Sequence, residues 1–336
     1  MSASTRNLLV MPAALATLAV VAGTHILATG LPFHVLAGVL DGVPEGLSEH
    51  VLWELGLPRL LTAMLTGAGL GVAGFLLQSA LRNPLAAPEF TGVNPGAVLG
   101  ILGGTTLGLF PADSVGGALV AALTGGALGG GLSWALASRR GPGQVIVAGL
   151  LGSAVLAGLT TMLLAYQPSR FGNAMRWLVG SVEGRVWDHL TFATWWILAW
   201  IALAWLGSAV LGVLAGGDEH AAALGLAPNL ARALALAGAI ALAAGAASLA
   251  GAVAFVGLVV PHVARWAVRG EPRTGIPAAA LAGAIVLTGA DALAQLLTGL
   301  LSGGAFAHRL GVPTGVVTAL AGAAVLVAMA RKERDV

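Results

Sequence analysis

Long apolar stretches without any charged residue are the dominant pattern of this sequence. Ten charge-free windows of 17 or more residues cover most of the chain: 7–40, 60–81, 90–112, 114–138, 141–169, 189–217, 233–264, 274–290, 292–308 and 310–330. A helix that crosses a membrane needs about 20 apolar residues, each adding about 1.5 Å. The windows therefore predict about ten membrane-spanning helices.

One window is too long for a single spanning helix. A helix over 233–264 would measure about 48 Å, whereas the hydrocarbon core is about 30 Å thick. A break near Gly251 divides this window into two helices, and 292–308 then becomes an external connection. The alternative, an unbroken helix, places the next three arginines on the outer side.

The distribution of basic residues favours the broken helix. With the break, eleven Arg and Lys residues lie inside and five outside, as the positive-inside rule requires. Both termini are then cytoplasmic. The prediction is an all-α polytopic membrane protein with one transmembrane domain over 1–336. Its ten helices are expected at about 8–30, 60–81, 92–110, 115–138, 144–166, 190–215, 231–250, 252–268, 276–297 and 313–331.

Composition supports a membrane protein and excludes several kinds of chemistry. Apolar residues make up 57% of the chain and charged residues 9%, and mean hydropathy is +0.91. The single lysine, Lys332, leaves no lysine for a Walker A loop, a kinase-type ATP site or a pyridoxal Schiff base. Any ATP must therefore be hydrolysed by another chain. The absence of cysteine excludes disulfides and thiolate sites, and a net charge of +2 gives no sign of nucleic-acid binding.

Helix-breaking and polar residues interrupt the apolar pattern between the second and third predicted helices. Gln78 costs free energy in a membrane helix unless its amide is hydrogen-bonded, so it either bonds a neighbouring helix or faces a wet path. Asn83, Pro84 and Pro88 break the helix, and Asn94 lies in the turn-rich entry to the next one. Irregular backbone at this depth must be buried in protein or line water.

A short polar segment precedes the seventh predicted helix on the cytoplasmic side. Asp218 is expected to cap a short helix, and Glu219 favours the positive end of that helix. Gly225 is expected to end it, and Pro228 to open the next helix. The segment is either a connector or a peg that fits the groove of a partner.

Two further polar positions lie in the apolar helices near the C-terminus. Pro261 and His262 stand at the inner end of the eighth predicted helix, where a lone histidine is more typical of a carbonyl cap than of a metal ligand, and no metal site is predicted. Asp291 is a candidate functional residue because carboxylates within membranes are rare. Near the interface, it could instead be solvated or paired.

These segments together resemble the FecCD family, the permeases of ATP-driven importers for iron–siderophores, haem and vitamin B12. The resemblance runs from about Pro58 to Gly322. Its motifs occur in the order of the family: Pro58-Arg59, Gln78, Asn83-Pro84-Leu85, Pro88, Gly92-Val93, Gly96-Ala97, Trp177, Gly180-Ser181, Leu224-Gly225, Phe255-Val256-Gly257-Leu258, Pro261-His262, Arg265, Asp291, Pro313-Thr314-Gly315 and Thr318.

The resemblance implies a set of partners in the bacterial inner membrane. These are a second permease subunit, identical or different, two cytoplasmic ATPases and a periplasmic binding protein. The chain itself would carry no cofactor, and ATP and Mg²⁺ would be bound by the ATPases. It would perform no covalent chemistry, and iron–siderophores are the commonest cargo of the family.

The resemblance also assigns roles to particular residues. The binding protein would dock on Arg59 and Arg309. The ATPase would couple to Asp218, Glu219, His220, Leu224, Gly225 and Pro228. The translocation path and its helix breaks would involve Gln78, Asn83, Pro84, Pro88, Asn94, Gly257, Pro261, His262 and Asp291.

Two departures and two alternatives accompany this assignment. Gly56 and Gln295 occupy positions that are often arginine in the family, which weakens docking by charge. A secondary transporter or channel would need carboxylates or histidines deep within its helices, and Asp291 is expected near a helix end. An integral-membrane enzyme is disfavoured because the sequence has no cysteine and no His/Asp cluster.

Overall fold

The computed structural model describes residues 3–29, 35, 46–111, 114–137, 142–166, 174–268, 271–301 and 311–334. Within these ranges the regular structure is helical and no strand occurs, so the all-α prediction is confirmed. We call inner the side of the bundle that carries Arg82, Arg232 and Arg265, the predicted cytoplasmic side.

The helices are numbered in chain order. They are α1 (Ala3–Ala28), α2 (Leu47–Val51), α3 (Leu57–Leu81), α4 (Val93–Thr106), α5 (Val115–Ala137), α6 (Pro142–Tyr166), α7 (Ala174–Val179), α8 (Trp187–Leu206), α9 (Ser208–Ala215), α10 (Asp218–Ala223), α11 (Pro228–Ala250), α12 (Val256–Val268), α13 (Pro272–Leu301) and α14 (Thr314–Arg334). A π-helical turn, Leu52–Gly56, joins α2 directly to α3.

Seven described stretches are long and apolar enough to cross a membrane: Val10–Ala28, Leu47–Leu81, Val115–Leu136, Gln144–Tyr166, Trp187–Leu206, Pro228–Ala250 and Pro272–Leu301. Two shorter apolar helices, Val256–Val268 and Thr314–Val327, accompany them. The chain is therefore a polytopic helical membrane protein. The count of ten spanning helices stays a prediction.

Helix α3 lies at the centre of the bundle and is buried along most of its length. It packs against α13, α11 and α12 through glycines that allow direct backbone contact. A Cβ added to Gly71 would lie 2.5 Å from the carbonyl oxygen of Ala279, and one added to Gly67 would overlap the carbonyl of Gly283. Small residues at membrane helix interfaces permit such close packing.

The ends of several helices differ from the predicted ranges. Helix α11 ends at Ala250, and the next helix starts only at Val256, after a stretch of non-helical backbone. The predicted helix over 190–215 is divided at Gly207 into α8 and α9. Helix α13 continues to Leu301, so part of the 292–308 segment that was expected to be a connection is helical.

Candidate functional site

A buried carboxylate connects four helices toward the outer side. Asp291, on α13, is fully buried. Its Oδ2 accepts a hydrogen bond from Arg59 Nε at 2.7 Å, and its Oδ1 accepts one from Arg59 Nη2 at 2.9 Å. His25 Nε2 on α1 lies 2.8 Å from Oδ2, and Thr314 Oγ1 on α14 donates to Oδ1 at 2.6 Å. A carboxylate only accepts, so we assign the Nε2 proton to His25.

Gln295 completes this group, which we call the outer cluster: His25, Arg59, Asp291, Gln295 and Thr314. The amide nitrogen of Gln295, one turn after Asp291, donates to Asp291 Oδ2 at 3.2 Å. Gln295, where the resemblance implies an arginine, is thus a neutral donor to this carboxylate. Among the described residues, Arg59 is the arginine that pairs with Asp291, and it does so in bidentate geometry.

The outer cluster changes how two predicted site residues are interpreted. Asp291 is paired and lies well inside α13, rather than solvated at a helix end. The Arg59 side chain is 19% exposed and is bound to Asp291, so any docking contact must coexist with this pair. Arg309 lies outside the described residues. Docking through Arg59 and Arg309 stays a prediction.

Gln78 connects α3 to α12 near the inner side. Its Oε1 accepts hydrogen bonds from both Nη1 and Nη2 of Arg265 at 2.7 Å, and its Nε2 donates to the carbonyl of Leu258 at 3.1 Å. The Arg265 guanidinium also lies over the ring of Phe75, 5.0 Å from its centre. Of the two interpretations of Gln78, the structure therefore displays the bond to a neighbouring helix.

The Gln78–Arg265 pair yields a stability prediction. Gln78→Leu is expected to destabilise the chain by about 1.5–3 kcal/mol, because the Arg265 guanidinium loses its acceptor. Gln78→Glu loses the donor to the Leu258 carbonyl, but it retains the acceptor for Arg265 and adds an opposite charge, so it should cost less. Thermal unfolding in detergent would compare the two variants. Equal stabilities would contradict the assigned contact.

The connection between α3 and α4 contains the predicted helix-breaking residues. Asn83 Oδ1 accepts the backbone N–H of Leu85 at 2.9 Å, which fixes the turn at Pro84. Pro88 packs so closely on Gly257 that a Cβ there would lie 2.8 Å from the proline ring. Asn94 Nδ2 reaches the carbonyl of Val253 at 3.5 Å, at the break between α11 and α12.

Glu89 belongs to the same region, although the sequence analysis did not select it. Its Oε1 accepts the backbone N–H of Phe255 at 2.9 Å, and its carbonyl accepts the hydroxyl of Ser153 on α6 at 2.8 Å. Phe255 has a left-handed backbone (φ 67°), which is strained for a bulky residue. Glu89 thus holds the α11–α12 break beside α6. The available signal was that Glu89 is the only charged residue between Arg82 and Asp113.

The Glu89 carboxyl, which is half-buried, is sensitive to pH. Desolvation raises its pKa from 4.5 to about 7, although the backbone hydrogen bonds act in the opposite direction. The folded chain therefore holds this proton between about pH 4.5 and 7, whereas the unfolded chain releases it. The corresponding stability is fully present below about pH 4.5 and is lost as pH rises through about 7.

We accordingly expect Glu89→Gln to flatten the pH dependence of unfolding. Each pKa unit corresponds to about 1.4 kcal/mol, so wild type should lose on the order of 3 kcal/mol between pH 4.5 and 8 through this group. Thermal midpoints measured at intervals across that range would check this. An unchanged slope in the variant would assign the pH dependence to other groups.

The segment before α11 forms a short exposed helix, α10. We call α10, Leu224 and Gly225 together the inner turn. Its N-cap is Gly217 and not Asp218 as predicted, because Asp218 is the first helical residue and directs its carboxylate to Arg82 and Arg232. The hydrogen bond from Arg232 lowers the pKa of Asp218, so this carboxylate is charged at neutral pH. Leu224 is 61% exposed.

The ends of the inner turn follow the remaining predictions. Gly225 has φ 79°, and the N–H of Leu226 returns to the carbonyl of Ala221 at 2.9 Å, as in a Schellman motif. Helix α11 begins at Pro228. Glu219 and His220 lie in the helix between these ends. The structure does not bring this group near the outer cluster.

His262 bonds a carbonyl of its own helix, and its place in the translocation path stays a prediction. Its Nδ1 lies 2.8 Å from the carbonyl of Leu258, four residues earlier, and we assign this nitrogen the proton. Pro261, which interrupts the hydrogen bonding of α12, precedes it. Across the part of the chain that the structure describes, no three His, Cys, Asp or Glu residues are placed to hold a metal ion.

Comparison with known proteins identifies the family. The model of the FecCD transport family matches residues 10–332. The chain belongs to the FecCD transport family. Among similar proteins, the Fe(3+) dicitrate transport system permease protein FecD of Escherichia coli is 37% identical, over 82% of this chain and 83% of that protein.

Two further relatives of this FecCD chain are named for cargoes other than ferric dicitrate. The ferric enterobactin permease protein FepG of Escherichia coli is 34% identical over 98% of this chain and 97% of its own length. The cobalamin import permease protein BtuC of Halobacterium salinarum is 31% identical over 93% and 85%. A solved structure described as an inward-facing metal-chelate type ABC transporter shares the fold, with TM-score 0.77, 24% identity, and coverage of 98% of this chain and 100% of that one.

These findings define the class of protein. This FecCD chain is a permease subunit of an ABC importer and a multi-pass protein of the inner membrane. The alternative of a secondary transporter or channel is set aside by family membership. The buried Asp291 does not support this alternative, because the charge of Asp291 is already paired with Arg59.

Proposed function

We propose that this FecCD chain, together with a second permease subunit, forms the membrane path of an importer for a ferric chelate, and that partner ATPases supply the energy. The observation that carries the proposal is the inner turn. It projects Leu224 outward on the inner side and is fixed to the bundle by the ion pairs of Asp218. An exposed turn that is anchored to the bundle offers a partner ATPase a surface to bind.

The proposed cargo rests on the names of similar proteins and on the side chains available here. Two of the relatives described above are named for ferric chelates and one for cobalamin. The chain has no cysteine, and the described residues offer no cluster of metal ligands. Ferric iron would therefore cross inside its chelator rather than on protein ligands.

The remaining partners are proposed by position. The binding protein would approach the outer side, where Arg59 and Arg309 are the candidate contacts. The ATPase would bind the inner turn through Glu219, His220 and Leu224. ATP and Mg²⁺ would be held by the ATPase, and the second permease subunit would be identical or related to this chain.

Reconstitution tests the proposal. The complete complex in liposomes, with its binding protein, is expected to accumulate ferric citrate or ferric enterobactin only when ATP is inside, and the purified permease alone should not hydrolyse ATP. Cobalamin is the comparison cargo, and its transport in place of both ferric chelates would overturn the cargo assignment. Uptake driven by an ion gradient without the ATPase would overturn the proposal itself.

A further inference from the structure

We propose that Arg232 and Arg82 are positioning residues that fix the inner turn to α11 and α3 through Asp218, and that this triad transmits the movement of the ATPase to the bundle. The three residues are called the inner triad. The inference rests on the proposed function, because it assigns a route by which that ATPase acts. It concerns two arginines that the family motifs quoted above do not include.

The geometry of the inner triad is that of a double ion pair. Arg232 Nη1 donates to Asp218 Oδ2 at 3.0 Å, and its Nη2 donates to Oδ1. Arg82 Nη2 donates to the same Oδ1 at 2.9 Å. A bidentate guanidinium–carboxylate pair fixes direction as well as distance. The carboxylate is therefore held in one orientation from two sides.

The two arginines anchor the turn to different helices. Arg232 is in the first turns of α11, its side chain is only 5% exposed, and its Nε donates to the carbonyl of Ala80 at 3.2 Å. That carbonyl belongs to the last turn of α3, where helical carbonyls lack partners within the helix. Arg82 is the first residue after α3, and its backbone is left-handed, with φ 48°. One carboxylate thus joins α10, α11 and α3.

The inner turn has few other attachments. A six-residue helix is not stable by itself, and Ala221 is its only buried residue. The turn lies between Gly217, with φ 107°, and Gly225, with φ 79°. These glycines define the path of the chain but contribute no side-chain contact. Apart from the buried Ala221, the turn is therefore anchored to the bundle by the ion pairs of Asp218.

Movement of the turn would reach the centre of the bundle by a short path. Helix α3 is bonded to Arg232 at Ala80 and to Arg265 of α12 at Gln78, half a turn apart. A displacement of Asp218 would pull on both α11 and α3, and α3 would carry it to α12. Without the inner triad, the ATPase would move a loosely attached loop.

The test uses the complete reconstituted complex and compares transported ferric chelate per ATP hydrolysed. Asp218→Asn and Arg232→Gln are expected to keep ATP hydrolysis but to lower this ratio at least tenfold. Asp218→Glu retains the charge and should recover most of the wild-type ratio of transport to hydrolysis. Glu271→Gln and Arg331→Gln remove exposed inner charges outside the triad and should leave the ratio unchanged.

A second measurement reports position directly. The chain has no cysteine, so a variant with Ala222→Cys on the inner turn and Leu230→Cys on α11 carries spin labels at these two positions and nowhere else. Asp218→Asn should broaden the distance distribution between them, and Asp218→Glu should narrow it again. This readout does not require transport or an attached ATPase.

The outcomes separate the inference from the proposed function. If wild type transports and Asp218→Asn matches it in both ratio and distance distribution, the inner triad is not the link and the inference fails alone. If wild type neither binds an ATPase nor transports with ATP, the proposed function fails. Loss of the ATPase from Asp218→Asn with an unchanged distance distribution would show that Asp218 binds the ATPase directly, and it would overturn the positioning role.

Discussion

Arg59→Met is expected to destabilise the folded chain by about 3–5 kcal/mol, because it leaves the buried carboxylate of Asp291 without its charged partner. Asp291 would retain only hydrogen bonds from His25, Gln295 and Thr314. Neutral donors offset desolvation of a carboxylate only in part. The measurement is the midpoint of thermal unfolding of detergent-purified protein, monitored by size-exclusion chromatography with fluorescence detection.

The complementary variant should be milder. Asp291→Asn leaves the guanidinium of Arg59, but this side chain is 19% exposed and can turn toward the outer interface. The double variant Arg59→Met/Asp291→Asn should be more stable than Arg59→Met alone, since no buried charge remains. A double variant that loses the sum of both single losses would contradict the pairing.

The outer cluster also affects how docking can be studied. An Arg59 variant that loses stimulation by the binding protein would not isolate docking, because the same substitution disrupts contacts among α1, α3, α13 and α14. Arg309→Glu provides an independent test of charge-mediated docking. It should weaken stimulation of ATP hydrolysis by the binding protein, and unchanged stimulation would leave Arg309 without that role.

Features that depend on the bilayer were accessible from the sequence. Charged residues are rare in apolar spans, and the excessive length of the charge-free window 233–264, together with the positive-inside rule, indicates a break near Gly251, where α11 ends at Ala250. The cost of a bare amide in a membrane limits Gln78 to a bond with a neighbouring helix or a wet path, and the structure has the bond. Gly225 ends the inner turn and Pro228 begins the next helix. Both positions follow from the backbone preferences of glycine and proline, which can be read from the sequence.

Features that depend on packing were not accessible. His25 and Asp291 are 266 positions apart, and nothing in either local sequence indicates the other. The burial of Asp291 follows from the arrangement of four helices, of which α3 and α13 are in direct backbone contact at Gly67 and Gly283. Asp218 was expected to cap its helix because the local rule applies to Asp, but two arginines compete for its carboxylate, and Gly217 takes the cap position.

The contact between α3 and α12 provides the second strong prediction. A Cβ on Gly74 would overlap the carbonyl oxygen of Gly257 and lie 2.6 Å from its carbonyl carbon. The obstacle is backbone, so Gly74→Ala is expected to reach or exceed the usual 1–3 kcal/mol cost of overpacking and to separate Gln78 from Arg265. Gly103→Ala is the matched control. Nothing lies within 4 Å of the added Cβ, and alanine favours the helix by up to about 1 kcal/mol. The yield of monodisperse protein and its thermal midpoint should fall for Gly74→Ala alone, and equal values for both variants would contradict direct backbone contact between α3 and α12.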